Sequence, residues 1–519
     1  DAESHRASGN SSAIESEETL DQYSAPEKGA GALESLDAPS RESTAVTTAD
    51  ALDFAHAPTL VGANDLHASG IDGRGVTMAI IDSGYWAALG MDTDVEGEYR
   101  VLAQHTTLPR NLLEQFVTNG LDYNLIIDEH GHGTHVASIA ASSEMLPDGR
   151  YMGVAPSVNL VAVRAFDRNG MGTYADVIAA IEWVVENRQR HDIRILNLSI
   201  SAPVQSHYWE DPLNQAVSSA WQSGIVVVAS AGNTGKDGAM SIGVPGNNPY
   251  VITVGAMTDS YTPNDPSDDV LASFSSTGPT YEGFVKPEIL APGGHLRGYM
   301  GPLSKIAFDH PEFMDSFTHY SMSGTSQAAG VVSGIAALML QVDPTLTPDD
   351  VKCRIMASGR LAVTGEGAGA VPAYSVFQQG SGLVSAFDAV YGSASQCANR
   401  GLDIDQDLAG VRHFGGPANI DADGNYYIMD AYGQPLGTED VLSGQGFLWS
   451  DGFLWSDGFL WSDGFLWSDG FLWSDGFLWS DAFLWSVGVE GDSGYDFPPL
   501  PLATNRARTA AVNKWVEQE

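Results

Sequence analysis

Between about residues 54 and 397 the chain alternates short β-branched runs with longer stretches of helical period. "VTMAIID" (76–82), "VNLVAVRAF" (158–166), "IRILNLSI" (193–200), "GIVVVASAG" (224–232) and "YVITVGAM" (250–257) are apolar almost without interruption. That is the pattern of strands buried on both faces. "TYADVIAAIEWVVENRQR" (173–190) and "PLNQAVSSAWQSG" (212–224), lying between them, place apolar residues at helical spacing. Strands alternating with helices predict an α/β fold, a parallel sheet with helices on both faces. In such a sheet the active site sits at the carboxyl ends of the strands.

Outside this stretch the pattern breaks. Residues 1–53 are rich in Ser, Ala, Glu and Asp and cannot bury enough apolar surface to offset their ordering entropy, which predicts a disordered acidic tail or propeptide remnant. Residues 398–443 read as an irregular Asp/Gly-rich linker in which "DADGNYYIMDAYGQPLG" (421–437) forms a hairpin with a turn at each end. Asp421, Asp423 and Asn425 also suggest a calcium loop, but the full twelve-residue pattern is absent and the hairpin is preferred. From 444 to 487 runs a repeat of "GFLWSD" with seven copies of FLWS, keeping Trp449, Trp455, Trp461, Trp467, Trp473, Trp479 and Trp485 in one frame. A period of six is a multiple of two and misfits 3.6, so a small extended β-repeat module is expected, either a meander with Asp-Gly turns or a solenoid. Residues 488–519 form a C-terminal tail.

At 519 residues the chain has room for more than one module. Its 66 acidic and 24 basic residues give a net charge of −42, which repels nucleic acid and anionic membranes. Only Cys353 and Cys397 are present, so a disulfide scaffold and a cysteine zinc site are both excluded, while pairing of the two is left open. The longest apolar run, "AAGVVSGIAALML" (328–340), is too short for a bilayer span, so no transmembrane segment is expected. The sequence starts at Asp1 without a charged-then-apolar leader, so a secretion signal would have to be already removed or left out. An extracellular location is therefore inferred from composition.

"DEHGHGTHVAS" (128–138) carries His130, His132 and His135 among glycines. Three imidazoles in His-x-His-x-x-His spacing can gather round zinc; alternatively, one imidazole takes a proton from a distant nucleophile. In "SMSGTSQAA" (321–329) Ser326 follows Gly324-Thr325 and opens an apolar helical run, so it sits where backbone N–H groups face a developing negative charge.

Three blocks, in order, resemble the subtilisin-like serine proteases: "AIIDSG" with Asp82, "GHGTHVAS" with His132 and "SGTSQAA" with Ser326. The resemblance spans roughly residues 55–395 and implies a secreted serine endopeptidase acting on protein or peptide substrates. By that resemblance Ser326 is the nucleophile, His132 the general base and acid, and Asp82 the group that orients the imidazole. "ASAGN" (229–233) implies an oxyanion hole made by the Asn233 amide and the Ser326 N–H. "NLSIS" and "ASAG" imply substrate-binding positions at Ser199, Ile200, Ser201, Ala231 and Gly232. His135 matches a buried structural position and His130 a bystander. The metal reading weakens because Thr134 stands where a metallo-β-lactamase-like site needs aspartate.

The sequence also departs from the family. Gln327 replaces the usual methionine and Ala329-Gly330 the usual small polar residue and proline, while the stretch between Asp82 and His132 is longer. The chemistry requires no cofactor; structural calcium fits the Asp-rich composition, with no ligand assignable. A second function class is also open, a surface-binding or adhesive protein whose Trp repeats contact carbohydrate and whose protease domain processes only itself.

Overall fold

The computed structural model describes residues 52–436 except 53, 89, 109–126, 264, 266, 267, 365–370 and 430–434, together with the short stretches 453–455 and 510–511. The expected N-terminal tail, nearly all of the hexapeptide module and nearly all of the C-terminal tail lie outside the described residues.

A central eight-stranded sheet organises the fold. Its core strands are β1 (Thr77–Asp82), β2 (Val101–Thr106), β3 (Asn159–Arg164), β4 (Ile193–Leu198), β5 (Val226–Ser230) and β6 (Ile252–Thr258), in the order β2-β3-β1-β4-β5-β6. All neighbours in that row pair in parallel. Ile289–Pro292 adds a further parallel strand beside β6, and the short Val270–Leu271 pairs with β6 antiparallel. Every residue of β1, β5 and β6 is buried, the environment their unbroken apolar runs demand. β2 escaped the sequence reading because it is an edge strand, buried only at Val101, and "VLAQHT" lacks the apolar run.

Helices α1 (His132–Ala141), α2 (Tyr174–His191), α3 (Pro212–Gln222) and α4 (Thr325–Val342) connect the strands or pack between them. α2 starts with a capping box, Thr173 and Asp176 each bonding the other's backbone N–H. α3 starts at Asp211, whose carboxylate accepts from Leu213 N and Asn214 N, with Pro212 at the first helical position. α4 is the central helix, with sixteen consecutive residues buried from Thr325 to Leu340. It is longer than the run 328–340 and would span a bilayer by length and composition, yet it lies inside the protein. Its small residues explain how it fits there. A Cβ on Gly330 would meet Val136 O at 3.1 Å, and one on Gly334 would meet Val154 Cβ at 2.6 Å. The Gly330 departure thus sits where α4 packs against α1.

The segment expected as a linker is instead built onto the domain. Ile404–Leu408 is helical, Ala418–Ile420 pairs with Tyr426–Ile428 as a hairpin across the Asp421–Asn425 turn, and Met429 bridges Pro435; the turn expected at the hairpin's other end lies outside the described residues. Phe414 is fully buried in the main core, while Ala418 and Ile428 pack with Val285, Met356, Val376 and Phe377. Asp407 Oδ2 accepts from Tyr208 Oη at 2.6 Å and Tyr250 Oη at 2.9 Å, and its Oδ1 bonds His413 Nδ1 at 2.7 Å. Trp209 stacks between His207 and His413 at centroid distances of 4.3 and 4.8 Å. Cys353 and Cys397 form a disulfide. Of the hexapeptide repeat, Phe453–Trp455 is described as a strand antiparallel to His413–Gly415.

Candidate active site

The carboxyl end of β1 delivers Asp82, and the amino end of α1 delivers His132. His132 Nδ1 lies 2.8 and 3.0 Å from the two carboxylate oxygens of Asp82, and the two residues are 0% and 1% exposed. A carboxylate only accepts, so Nδ1 carries the proton and Nε2 presents its lone pair. Close approach depends on Gly133: a Cβ there would lie 2.6 Å from Gly84 O and 3.0 Å from Asp82 Cβ. Gly131 caps α1 at φ +104°, a left-handed conformation in which a side chain would also strike Ser304.

Asp128, which the sequence reading passed over, ties these two elements together. Its Oδ1 accepts from Ser83 Oγ at 2.8 Å and Gly131 N at 2.7 Å, and its Oδ2 from Thr134 N at 2.8 Å and Thr134 Oγ1 at 2.7 Å. Ser83 Oγ in turn accepts from Gly133 N at 2.9 Å. The loop after Asp82 and the first turn of α1 therefore share one buried carboxylate, placed where the helix dipole favours negative charge. The only sequence signal was an Asp ahead of a helix start, too common a cap to single out.

Ser326 is the second residue of α4, so its N–H is among the helix's N-terminal donors. Its Oγ donates to Ser199 O at 3.3 Å. Ser199 Oγ accepts from Asn197 Nδ2 and donates to Ser326 O, both at 2.9 Å, and Ser333 Oγ donates to Asn197 Oδ1 at 2.9 Å. A buried polar chain thus holds the start of α4 against the end of β4.

Asn233 Oδ1 accepts from both Thr325 N and Thr325 Oγ1 at 2.9 Å. A backbone N–H can only donate, so this contact fixes the amide orientation and leaves Nδ2 as the donating end beside the α4 N-terminus. The expected substrate-binding positions divide. Ser199 is buried and committed to the Ser326 carbonyl, and Ile200 has its side chain in the core with its O accepting from Ser230 Oγ. Ala231 N and O are bonded to Val254 O and Gly243 N, and Gly232 N donates to Thr325 Oγ1. Ser201 is half-buried, against Gly232 and Gly243.

The three histidines do not converge. His135 is fully buried, Nε2 bonds Tyr320 O at 2.8 Å, and burial pushes its pKa down to about 4. His130 lies against Gly170, its ring centroid 6.2 Å from that of His132. Burial, reinforced by neighbouring His132, lowers its pKa to about 4. His130, expected to be a bystander, is thus part of the wall beside His132. Gln327 Nε2 sits 3.4 Å from His135 Nδ1, so the residue in the usual methionine position packs onto the structural histidine. Among the described residues no group of three His, Cys, Asp or Glu side chains is arranged to hold a metal. Asp421 Oδ1 accepts from Asp423 N and Asn425 N, and Oδ2 from Asn425 Nδ2.

The subtilase family model matches residues 73–382, more than half of the chain. The chain belongs to the subtilase family. It is 39% identical to the serine protease AprX of Bacillus subtilis over 287 residues, 54% of this chain and 60% of AprX. It is 34% identical to subtilisin DY of Bacillus licheniformis over 300 residues, 58% of this chain and 89% of that protein. Subtilisin E of Bacillus subtilis is 32% identical over 56% of this chain and 62% of its own length. The match thus spans about three fifths of AprX and subtilisin E. Asp82, His132, Asn233 and Ser326 all fall inside the matched range of this subtilase, whereas Asp407 and His413 lie beyond it.

Proposed function

We propose that this subtilase is a serine endopeptidase that hydrolyses protein or peptide substrates. The buried Asp82–His132 pair carries the reading, because it fixes the tautomer in which Nε2 is basic. Ser326 Oγ attacks the scissile carbonyl as His132 Nε2 takes its proton, and Asp82 stabilises the imidazolium. Asn233 Nδ2 and the Ser326 N–H then receive the oxyanion. Collapse of the intermediate breaks the C–N bond, His132 returns the proton to the leaving amine, and water hydrolyses the acyl-enzyme by the reverse roles. The disulfide and the net charge of −42 support an extracellular location, since disulfides persist in oxidising compartments.

The test is turnover of a short peptide and of casein. In subtilisin, losing the serine or the histidine lowers turnover about 10⁶-fold, and Ser326→Ala or His132→Ala is expected to leave only trace activity here. Asn233→Ala is expected to lower kcat about 10²- to 10³-fold with KM nearly unchanged. A Ser326→Ala protein that still turned over peptide would refute the assignment.

A further inference from the structure

We infer that the substrate cleft of this subtilase is a binding site for the chain's own C-terminal segment, which enters it as an antiparallel strand at Ala510–Ala511. This inference rests on the reading of the site given above. Ala510 lies opposite Gly172 and Ala511 opposite Met171, backbone against backbone. The edge they pair with leads to the catalytic histidine. Gly170, the next residue along it, is so close to His130 that a Cβ would meet the imidazole at 2.8 Å, and His130 neighbours His132. Antiparallel pairing runs the incoming strand from Gly172 past Met171 towards Gly170. A strand continued in that direction would next meet the Gly170–His130 corner beside His132, the approach a polypeptide substrate has to take. A cavity of about 430 Å³ opens beside the same edge, lined by Ser83, Glu129, Met171, Gly172 and Asp176 among others.

Two further observations agree. His132 and Ser326 are each 0% exposed, although a protein substrate has to reach both. The sequence from 497 to 516 carries Arg506, Arg508 and Lys514 and no acidic residue, within a chain of net charge −42. Opposite charge favours docking of this segment on the domain. β-Augmentation supplies affinity through main-chain bonds, and tethering makes the encounter intramolecular. A strand that binds only weakly as a free peptide then occupies the cleft most of the time.

The test uses the full chain carrying Ser326→Ala, so that nothing is cleaved, and a fluorescein-labelled peptide RARTAAVNKW, residues 506–515. Proline lacks the N–H and disrupts a ladder, so adding Ala510→Pro and Ala511→Pro is expected to tighten probe binding about tenfold. The same change is expected to speed hydrogen exchange over residues 170–174 at least tenfold. Equal probe affinity and equal exchange with and without the prolines would overturn the inference. Protection that disappears on hundredfold dilution would overturn it too, by assigning the strand to a second copy. The readout is independent of catalysis: a chain that binds the probe but never hydrolyses peptide with Ser326 present would remove the functional reading and leave this one.

Discussion

Replacing Asp128 by asparagine removes one charge and almost no volume, and tests whether this carboxylate positions the Asp82–His132 pair. Four donors converge on it within 2.7–2.8 Å: Ser83 Oγ, Gly131 N, Thr134 N and Thr134 Oγ1. An amide accepts on one side only. If Oδ1 takes the Thr134 side, Nδ2 faces the Gly131 N–H; if it takes the Gly131 side, Nδ2 faces the Thr134 N–H. Either way a backbone donor at the start of α1 loses its acceptor in a buried site. Hydrogen bonds to a charged group contribute about 1.5–3 kcal/mol each, so losing two costs about 3–6 kcal/mol. That corresponds to a Tm lower by roughly 5–10 °C. Because the same bonds set α1 against the loop after Asp82, the imidazole shifts as well, and a displacement near 1 Å lowers the rate about 10²-fold. Calorimetry and steady-state kinetics on a short peptide read the two effects. Both should move, kcat falling with KM nearly constant, since Asp128 is buried and its bonds go to Ser83, Gly131 and Thr134. Asp128→Asn with wild-type Tm and wild-type kcat would show that the fourfold bonding does not position the histidine.

The remaining predictions concern stability and the histidine wall. Lys286 is buried, bonded to Val251 O at 3.0 Å and to Glu288 Oε1 at 2.5 Å, and burial lowers its pKa from 10.5 to about 7. Between about pH 7 and 10.5 the unfolded chain therefore holds a proton that the folded chain does not, so stability from this group rises with pH in that window and is lowest below it. The amplitude is on the order of a few kcal/mol; Lys286→Met should abolish it, and a Tm difference from wild type that is flat between those pH values would refute the linkage. The disulfide closes a 44-residue separation, so Cys353→Ser with Cys397→Ser is expected to cost about 4 kcal/mol by loop entropy; an unchanged denaturation midpoint would contradict it. His130, with a pKa of about 4, is neutral at pH 6–9. His130→Ala should therefore leave the pH profile of kcat in place while altering KM; a displaced profile would make it part of the proton-transfer machinery.

The strands at the centre of the sheet were legible because one physical demand, burial on both faces, wrote them as continuous apolar runs, whereas Asp82 and Asn233 were legible through the resemblance to the family's motifs. β2 was not, since an edge strand meets water and its side chains need not be apolar. The glycines of "GHGTH" were legible as a motif, but their reason, the approach of Gly133 to Asp82 and Gly84, appears only in three dimensions. Ser199 and Ile200 show the opposite case. Their place at the cleft came from the resemblance of "NLSIS" to the family's pocket-lining strand; in the fold the Ser199 side chain holds the Ser326 carbonyl and that of Ile200 enters the core. Position along a strand gives the neighbourhood of a site; which atoms reach it depends on the partners across the sheet. Asp128 was missed because three of its donors lie within six residues and read as an ordinary cap, while the fourth, Ser83 Oγ, comes from 45 residues away.

The end of the folded domain is another quantity that the family pattern does not carry. The family match stops at residue 382, but the hydrogen bonding does not. Tyr208 and Tyr250, both inside the match, give their hydroxyls to Asp407, outside it, and Phe414 N donates to Tyr208 Oη at 3.2 Å. Burial and the Asp407 charge hold both tyrosines well above the ordinary phenol range, so they stay neutral donors. Removing the segment would leave two phenols without their acceptor and expose the core face that Phe414 covers. Buried polar groups that lose their partners cost about 1–3 kcal/mol each, before the lost apolar burial is counted. Residues 404–429 therefore belong to the catalytic domain energetically, although their sequence reads as a linker. This also fixes the strand His413–Gly415 on the domain, where it pairs with the Phe453–Trp455 copy of the hexapeptide.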